Sequence, residues 1–311
     1  MKKLSGVFAM MMVSSIALAA DKPDWAYPVT PPPVKHDSVE QKTLPGSAKQ
    51  YTEAQIDDAY NPPDWFPDAH PPMPEAVAHG GPKPAGRACA LCHLTSGNGH
   101  PESSGLAGLP ANYIIRQMAA FKNGERNNAR TPVMVAMAKV FTDADIKAAA
   151  DYFSALKPSV GYTKVVETAM VPKTYVGGGA MRFAVVGGGT EPIGKRIIVL
   201  PQDEARAKLR DPRSGFIDHV PLGSIRRGAA LATGGNGKTV ACAICHGPNL
   251  QGLGEVPAIT GRPATYMFRQ LNDMKNGNRT GPWVELMKQV VAKLDDDDMI
   301  ALSAYLGSRD P

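Results

Sequence analysis

Cys89-Ala90-Leu91-Cys92-His93 and Cys242-Ala243-Ile244-Cys245-His246 are two copies of one short motif, C-x-x-C-H. The chain of 311 residues has four cysteines, and all of them lie in these two segments. Two thiols at this spacing can each form a thioether to one vinyl group of the same porphyrin, and the histidine that follows can bind the iron. The motif predicts two covalently bound haem c groups. The predicted thioether cysteines are Cys89, Cys92, Cys242 and Cys245, and the predicted proximal iron ligands are His93 and His246.

Other uses of the cysteine pairs are a zinc site and a thioredoxin-type dithiol. Neither of them requires a histidine directly after the second cysteine, yet both copies have one. The start of the chain also indicates export, which suits haem attachment outside the cytoplasm. Haem is therefore the favoured interpretation.

Residues 1–20 have the pattern of a secretory signal peptide. Lys2 and Lys3 precede an apolar stretch, and small residues end it, so cleavage is predicted near Ala19 and Ala20. The apolar stretch is too short to span a bilayer, although an uncleaved anchor is the alternative. We expect a periplasmic protein with no transmembrane span after cleavage.

The charge of the chain argues against nucleic acid as a partner. The formal charge is +5, of which the predicted signal peptide carries two positive charges, and there is no dense basic block. Haem propionates would offset the small remaining excess. We therefore expect no nucleic-acid binding.

A shift of 153 residues superimposes the two motifs and much of the sequence that follows, without insertion or deletion over nearly 70 residues. Such a register indicates a duplicated domain. The identical pairs include Gly108 and Gly261, Pro110 and Pro263, Tyr113 and Tyr266, Gln117 and Gln270, Arg126 and Arg279, and Tyr152 and Tyr305.

Each copy has the pattern of a small helical domain. Residues 112–123 have apolar side chains at helical spacing. Thr142 is predicted to cap the last helix of the first copy, with Asp145 reaching back to it. Four acids, 295–298, open the equivalent helix of the second copy. A metal site or docking patch is the alternative for these acids, but carboxylates also suit a helix N-terminus.

The repeat also predicts which residues are the sixth ligands of the two irons. Met287 lies 41 residues after His246, and the 153-residue shift places it on Met134, which lies 41 residues after His93. Met134 and Met287 are the predicted axial ligands, with Met137 as the alternative to Met134. A bis-His haem that uses His70 or His79 is a further alternative. The remaining histidines are expected mostly at the surface.

These motifs resemble class I cytochromes c, and among them the dihaem cytochrome c4 group, over residues 88–156 and 223–306. The resemblance implies that Tyr113, Tyr266, Arg126 and Arg279 belong to the haem surroundings. It also implies that the carbonyl of Pro257 binds the proximal histidine of the second haem. The first copy has Ser104 in that place, so the equivalent bond to His93 is left open.

The expected fold is mainly α, with two tandem class I cytochrome c domains joined by a long insert that contains a small β element. The insert is predicted to form a β-hairpin, with strands at 181–186 and 195–200. The proline-rich extension is expected to lie on the protein's own surface, with docking to a partner as the alternative. The predicted segments are 1–20 (signal peptide), 21–80 (proline-rich extension), 81–158 (first domain), 159–221 (insert) and 222–311 (second domain).

An iron with histidine and methionine ligands has no open position, so electron transfer is its ordinary role. We expect a periplasmic electron carrier that links a dehydrogenase or a quinol-oxidising complex to a terminal oxidase or reductase. One alternative is a cytochrome subunit of a periplasmic oxidoreductase complex. Another is a haem enzyme with one open iron. The sequence favours a carrier over an enzyme, since no separate catalytic constellation stands out.

Overall fold

The computed structural model describes residues 23–32, 34 and 37–311, so the predicted signal peptide lies outside the described residues. The described helices are α1 Glu53–Ile56, α2 Glu75–Ala78, α3 Ala90–His93, α4 Ala111–Lys122, α5 Pro132–Val140, α6 Asp143–Ala155, α7 Glu204–Lys208, α8 Ser224–Gly234, α9 Ala243–His246, α10 Ala264–Lys275, α11 Pro282–Val291 and α12 Asp296–Gly307. The strands are β1 Lys42–Thr43, β2 Gln50–Tyr51, β3 Thr163–Glu167, β4 Met170–Pro172, β5 Thr174–Val176, β6 Arg182–Ala184, β7 Thr190–Pro192, β8 Ile198–Pro201 and β9 Phe216–Val220. Helices therefore dominate, with small sheets between them.

The helices recur with the offset of the sequence repeat. We call residues 89–156 the first repeat and residues 242–309 the second repeat. Helices α4 and α10 begin and end at equivalent positions, each after a proline. The last helix of each repeat begins with a capping box, in which the cap side chain and the third helical residue bond each other's backbone N–H groups. The predicted cap at Thr142 is thus confirmed, and the four acids 295–298 open the equivalent helix as predicted.

Helix α8, which precedes the second repeat, crosses α12 of that repeat at close range. Gly228 lies at this crossing, and a β-carbon there would be 2.0 Å from the carbonyl oxygen of Ala301. Buried apolar side chains of α10, α12 and the insert complete this core, among them Phe268, Met299 and Ile197. The absence of a side chain at Gly228 is therefore what allows the two backbones to approach.

The insert is built differently from the predicted hairpin. The two predicted strands, 181–186 and 195–200, overlap β6 and β8. These two strands do not pair with each other. Strand β6 pairs with β5, and β8 pairs with β9, which also pairs in parallel with β3. The glycines at 177–179 place a tight turn directly before β6, so its antiparallel partner is the strand immediately upstream.

The proline-rich extension packs on the protein's own surface. Trp65 is 1% exposed and donates a hydrogen bond from Nε1 to the carbonyl of Leu209 in the insert, at 2.7 Å. Trp25 packs against Phe268, with ring centroids 4.6 Å apart. The sequence also predicts that this extension has no strands, and that prediction is wrong, since β1 and β2 form a minimal ladder. These aromatic contacts explain why the described part of the extension packs on the protein despite its many prolines.

No helix among the described residues combines the length and the apolar character that a bilayer span needs.

We expect Gly228→Ala to lower the free energy of unfolding by about 1–3 kcal/mol, because the added methyl would collide with the backbone of α12. Gly234→Ala is the matched control, since a β-carbon at this position of the same helix meets no atom within 4 Å. Urea denaturation of both haem-loaded variants measures the difference. Equal stability of the two variants would contradict the proposed close crossing.

Candidate haem-binding site

Each C-x-x-C-H motif folds as a single helical turn, α3 or α9, with its first cysteine at the N-cap position. One helical turn brings residues three and four apart onto one face, so both sulfurs and the imidazole can meet a single porphyrin. Burial raises the pKa of Cys89 to about 12 and that of Cys242 to about 11. These sulfurs therefore lie in surroundings that favour an uncharged form, as a thioether is.

Both motif histidines are oriented by a backbone carbonyl. Nδ1 of His93 lies 2.7 Å from the carbonyl oxygen of Ser104, and Nδ1 of His246 lies 2.8 Å from that of Pro257. Burial lowers the pKa of both imidazoles, which favours the neutral form. With the proton on Nδ1, Nε2 keeps its lone pair for a metal. The sequence does not decide whether His93 has this hydrogen bond, because Ser104 stands where the second copy has Pro257. The bond is present, because its acceptor is a backbone carbonyl and not a side chain.

A mainly apolar cavity adjoins the first motif, and the space in it that atoms do not fill is about 450 Å³, including its open mouth. Its lining includes Cys89, His93, Leu106, Ile114, Met118, Met134, Met137, Phe141, Ile146 and Phe153. A thioether-forming cysteine, an imidazole and methionine sulfurs thus share one apolar space. This donor set fits a haem with histidine and methionine ligands.

The predicted axial methionines differ in their surroundings. Met134 and Met137 both line the first cavity, one helical turn apart on α5. Met137 is 5% exposed and packs with Phe141, whereas Met134 is only partly buried. Met287 on α11 is partly buried against the core that also includes Cys242.

The predicted arginines and tyrosines meet between the two repeats. Residues 126 and 279 form an antiparallel bridge, so the two repeats contact each other through equivalent segments. Arg126 donates to Gln117 and Gln270, and Arg279 donates to the same two oxygens and to the hydroxyl of Tyr113. The acceptors are two neutral amides and a phenol. These hydrogen bonds therefore bring no negative charge to the two guanidinium groups.

The three arginines at this interface, Arg126, Arg262 and Arg279, exceed the charge of the nearby buried carboxylate of Asp273, so positive charge is in excess. Burial favours a neutral Tyr266, yet Arg126, Arg279 and Arg262 outweigh it and lower the pKa of Tyr266 to about 8. Nε of Arg279 is buried without a hydrogen-bond partner. An anion is what such a cluster requires. Haem propionates would satisfy it, so the residues present fit two haem groups.

Crossed ion pairs hold the repeats together on either side of this cluster. Arg269 of the second repeat lies 3.0 Å from Glu102 of the first, and Arg116 of the first lies 2.9 Å from Glu255 of the second. The two pairs are equivalent under the 153-residue shift. Sequence reasoning missed both glutamates, although the same shift that aligns the motifs also aligns Glu102 with Glu255.

The two motifs differ greatly in exposure. Leu91 is 6% exposed, whereas its counterpart Ile244 is 68% exposed. Arg210 of the insert covers the first motif by donating to the carbonyl of Leu91 at 2.9 Å, and it also binds Asp57 of the extension. Among the described residues no side chain forms a hydrogen bond with the carbonyl of Ile244, and Leu253 of the same repeat is 60% exposed. The insert and the extension thus shield one motif and leave the other open.

Among the described residues, His70 is not placed to act as a second iron ligand. Both ring nitrogens of His70 lie within hydrogen-bond distance of oxygen atoms, those of Pro71 and Asp64, so neither is free for iron. The remaining histidines are expected mostly at the surface, but His100 is only 6% exposed because the insert covers it. Burial lowers its pKa to about 3. No group of His, Cys, Asp and Glu within the described residues is arranged to hold a metal ion, the acid run included.

Comparisons with known proteins agree with this geometry. The family model for cytochrome c matches residues 225–310. Cytochrome c-554(548) of Halomonas halodenitrificans is 34% identical over 83 residues, which are 26% of this chain and all of that protein. The chain belongs to the cytochrome c family. It is a dihaem, cytochrome c4-like member with two covalently bound haem c groups, and it transfers electrons between redox partners.

Two longer relatives cover both repeats. The thiosulfate dehydrogenase electron acceptor of Thiomonas intermedia (strain K12) is 29% identical over 229 residues, which are 73% of this chain and 80% of that protein. Cytochrome c4 of Stutzerimonas stutzeri is 28% identical over 228 residues, which are 70% of this chain and 82% of that protein.

The crossed ion pairs give a matched test of the interface. Arg269→Gln should lower the free energy of unfolding by about 3 kcal/mol, because it leaves the buried carboxylate of Glu102 with only the longer contact to Arg130, at 3.6 Å. Arg116→Gln should cost less than about 1 kcal/mol, because its pair with Glu255 is exposed to solvent. Chemical denaturation of both variants checks the contrast, and a reversed order would refute it.

Proposed function

We propose that this cytochrome is a periplasmic carrier that accepts electrons from a dehydrogenase and passes them to a terminal oxidase or reductase. His93 with Met134 and His246 with Met287 are the proposed iron ligands, in two tandem domains at 81–158 and 222–311. The pair of proximal hydrogen bonds at equivalent positions supports this proposal most directly. Two similarly built sites on one chain suit electron relay rather than two different reactions.

The chain's own side chains supply the conditions for electron transfer. When bound, each haem supplies a one-electron iron couple. Burial keeps the imidazoles neutral, and the carbonyls of Ser104 and Pro257 fix their orientation, which limits reorganisation at the ligand. The apolar lining at Phe141 and Phe153 keeps water from the first site. Met134 and Met287 would each hold an iron as a further ligand, which would raise its reduction potential and leave it no open position.

The positive cluster between the repeats supports a close arrangement of the two haems. Arg126 and Arg279 each bond side chains of both repeats and have no carboxylate in those bonds. We infer that they bind propionates, with Tyr113 and Tyr266 beside them. Both haem edges would then meet the same interface, and an electron could pass between them within the chain.

The electron donor is proposed from the relatives. Proteins named as thiosulfate dehydrogenase electron acceptors in Thiomonas intermedia and in Stutzerimonas stutzeri (strain A1501) resemble this chain over more than 220 residues. A thiosulfate-oxidising dehydrogenase is therefore the donor to test first. Rapid mixing of that enzyme, thiosulfate and the oxidised cytochrome should reduce both haems, and no reduction would exclude this donor.

The alternatives have less structural support. A subunit that docks through its proline-rich extension would need that surface free, yet Trp65 and Trp25 are packed within the chain. An open-iron enzyme needs a vacant sixth position, yet methionines line the first cavity next to His93. The free carrier is therefore preferred over both.

The ligand proposal makes a specific prediction for the methionines. Met287→Ala and Met134→Ala should each lower one of the two reduction potentials, because a strong axial ligand is lost while the thioethers keep the haem attached. Met137→Ala is the control and should leave both potentials in place. Spectroelectrochemical titration measures all three variants. An unchanged potential in Met287→Ala would remove Met287 from the ligand set.

The difference in exposure predicts where partners dock. Ile244→Glu should slow electron exchange with a protein partner by about tenfold, because it places a charge on the open motif of the second repeat. Val186→Glu is the control, since Val186 is an equally apolar, exposed residue of the insert. Stopped-flow reduction by the dehydrogenase gives both rates. Equal slowing by the two substitutions would contradict docking at this motif.

A further inference from the structure

Arg262 lies in a cleft between the repeats and touches the histidine-binding loops of both. Its Nη1 donates to the carbonyl of Gly105, the residue after Ser104, and its Nε donates to the carbonyl of Ala258 at 3.1 Å, the residue after Pro257. Ser104 and Pro257 are the acceptors for the proximal histidines. One guanidinium group therefore joins the two equivalent loops.

The connection runs without a gap from one imidazole to the other. Nδ1–H of His93 donates to Ser104, whose neighbour Gly105 accepts from Arg262. On the other side Arg262 donates to Ala258, whose neighbour Pro257 accepts from Nδ1–H of His246. Every link is either a peptide bond or a hydrogen bond.

The bridge is made once and not twice. The 153-residue shift places Arg262 on Leu109, which cannot form such bonds. The first repeat makes room for the guanidinium with a glycine, because a β-carbon on Gly105 would lie 3.3 Å from Nη1 and 2.9 Å from the carbonyl oxygen of Asn98. The second repeat has alanine at the equivalent position. This asymmetry distinguishes the bridge from the symmetric contacts of Arg126 and Arg279.

The charge of Arg262 has no counter-ion. Within the described residues no carboxylate lies at ion-pair distance from Arg262, and its bonds go to neutral carbonyls. An arginine stays protonated at neutral pH even where burial lowers its pKa. A fixed positive charge beside both histidine-binding loops disfavours the oxidised irons, which carry the larger charge.

We propose that Arg262 is a positioning residue that ties together the proximal hydrogen bonds of the two haem irons and raises both of their reduction potentials. This inference rests on the proposed function, because it takes His93 and His246 as iron ligands. It adds to the proposed function a single residue that sets the reduction potentials of both haem irons together.

The test is a redox titration of Arg262→Gln, Arg262→Lys and Arg116→Gln. Two one-electron waves in the unmodified protein test the proposed function, and Met287→Ala assigns each wave to its haem. Arg262→Gln should lower both potentials. Arg262→Lys keeps the charge and should return both potentials toward their original values. Arg116→Gln, at a partly exposed arginine between the repeats, should change neither potential.

A second readout follows the hydrogen bonds themselves. Nuclear magnetic resonance should show faster solvent exchange of both Nδ1 protons, of His93 and of His246, in Arg262→Gln and in Arg262→Lys, because neither side chain has the planar fork that holds two carbonyls. If Arg262→Gln does not fold, Arg262→Lys alone shows whether the exchange of both Nδ1 protons depends on Arg262. The proposal is overturned if only the second haem responds, if neither responds, or if Arg262→Lys restores neither potential.

Discussion

The rest of the structure depends on the hydrogen bond from each proximal imidazole to a backbone carbonyl. It fixes which nitrogen carries the proton and therefore which nitrogen can bind iron. Because the acceptor is backbone, Ser104 serves the first repeat as well as Pro257 serves the second. The loops that carry these carbonyls also face each other between the repeats, where Arg262 contacts both. The same loops therefore fix the orientation of the proximal histidines and form part of the contact between the repeats.

The repeats are equivalent at their interface and different at their outer faces. The crossed pairs of Arg116 with Glu255 and of Arg269 with Glu102 repeat the same contact in two directions. The insert and the extension then cover the first motif through Arg210 and leave the second motif open. A duplicated chain has thus acquired a shielded site and an accessible one, an asymmetry that suits a relay with a single docking face.

Local sequence patterns predicted the local structure well. The cap at Thr142 and the helix of residues 112–123 need only neighbouring residues, so they could be predicted from spacing alone. The pairing of β6 with β5 and of β8 with β9 depends on turns and distant strands, which periodicity does not encode. Glu102 and Arg262 were missed for the same reason, since their partners in the other repeat lie more than 100 residues away in the chain.

The central claim is that both irons are six-coordinate and serve electron transfer. Carbon monoxide added to the fully reduced protein tests it most directly, because this ligand binds only where the sixth position is open or easily vacated. An unchanged visible spectrum is the predicted result. A shift in about half of the haem absorbance would reveal one open iron, and it would contradict the account of a two-haem carrier.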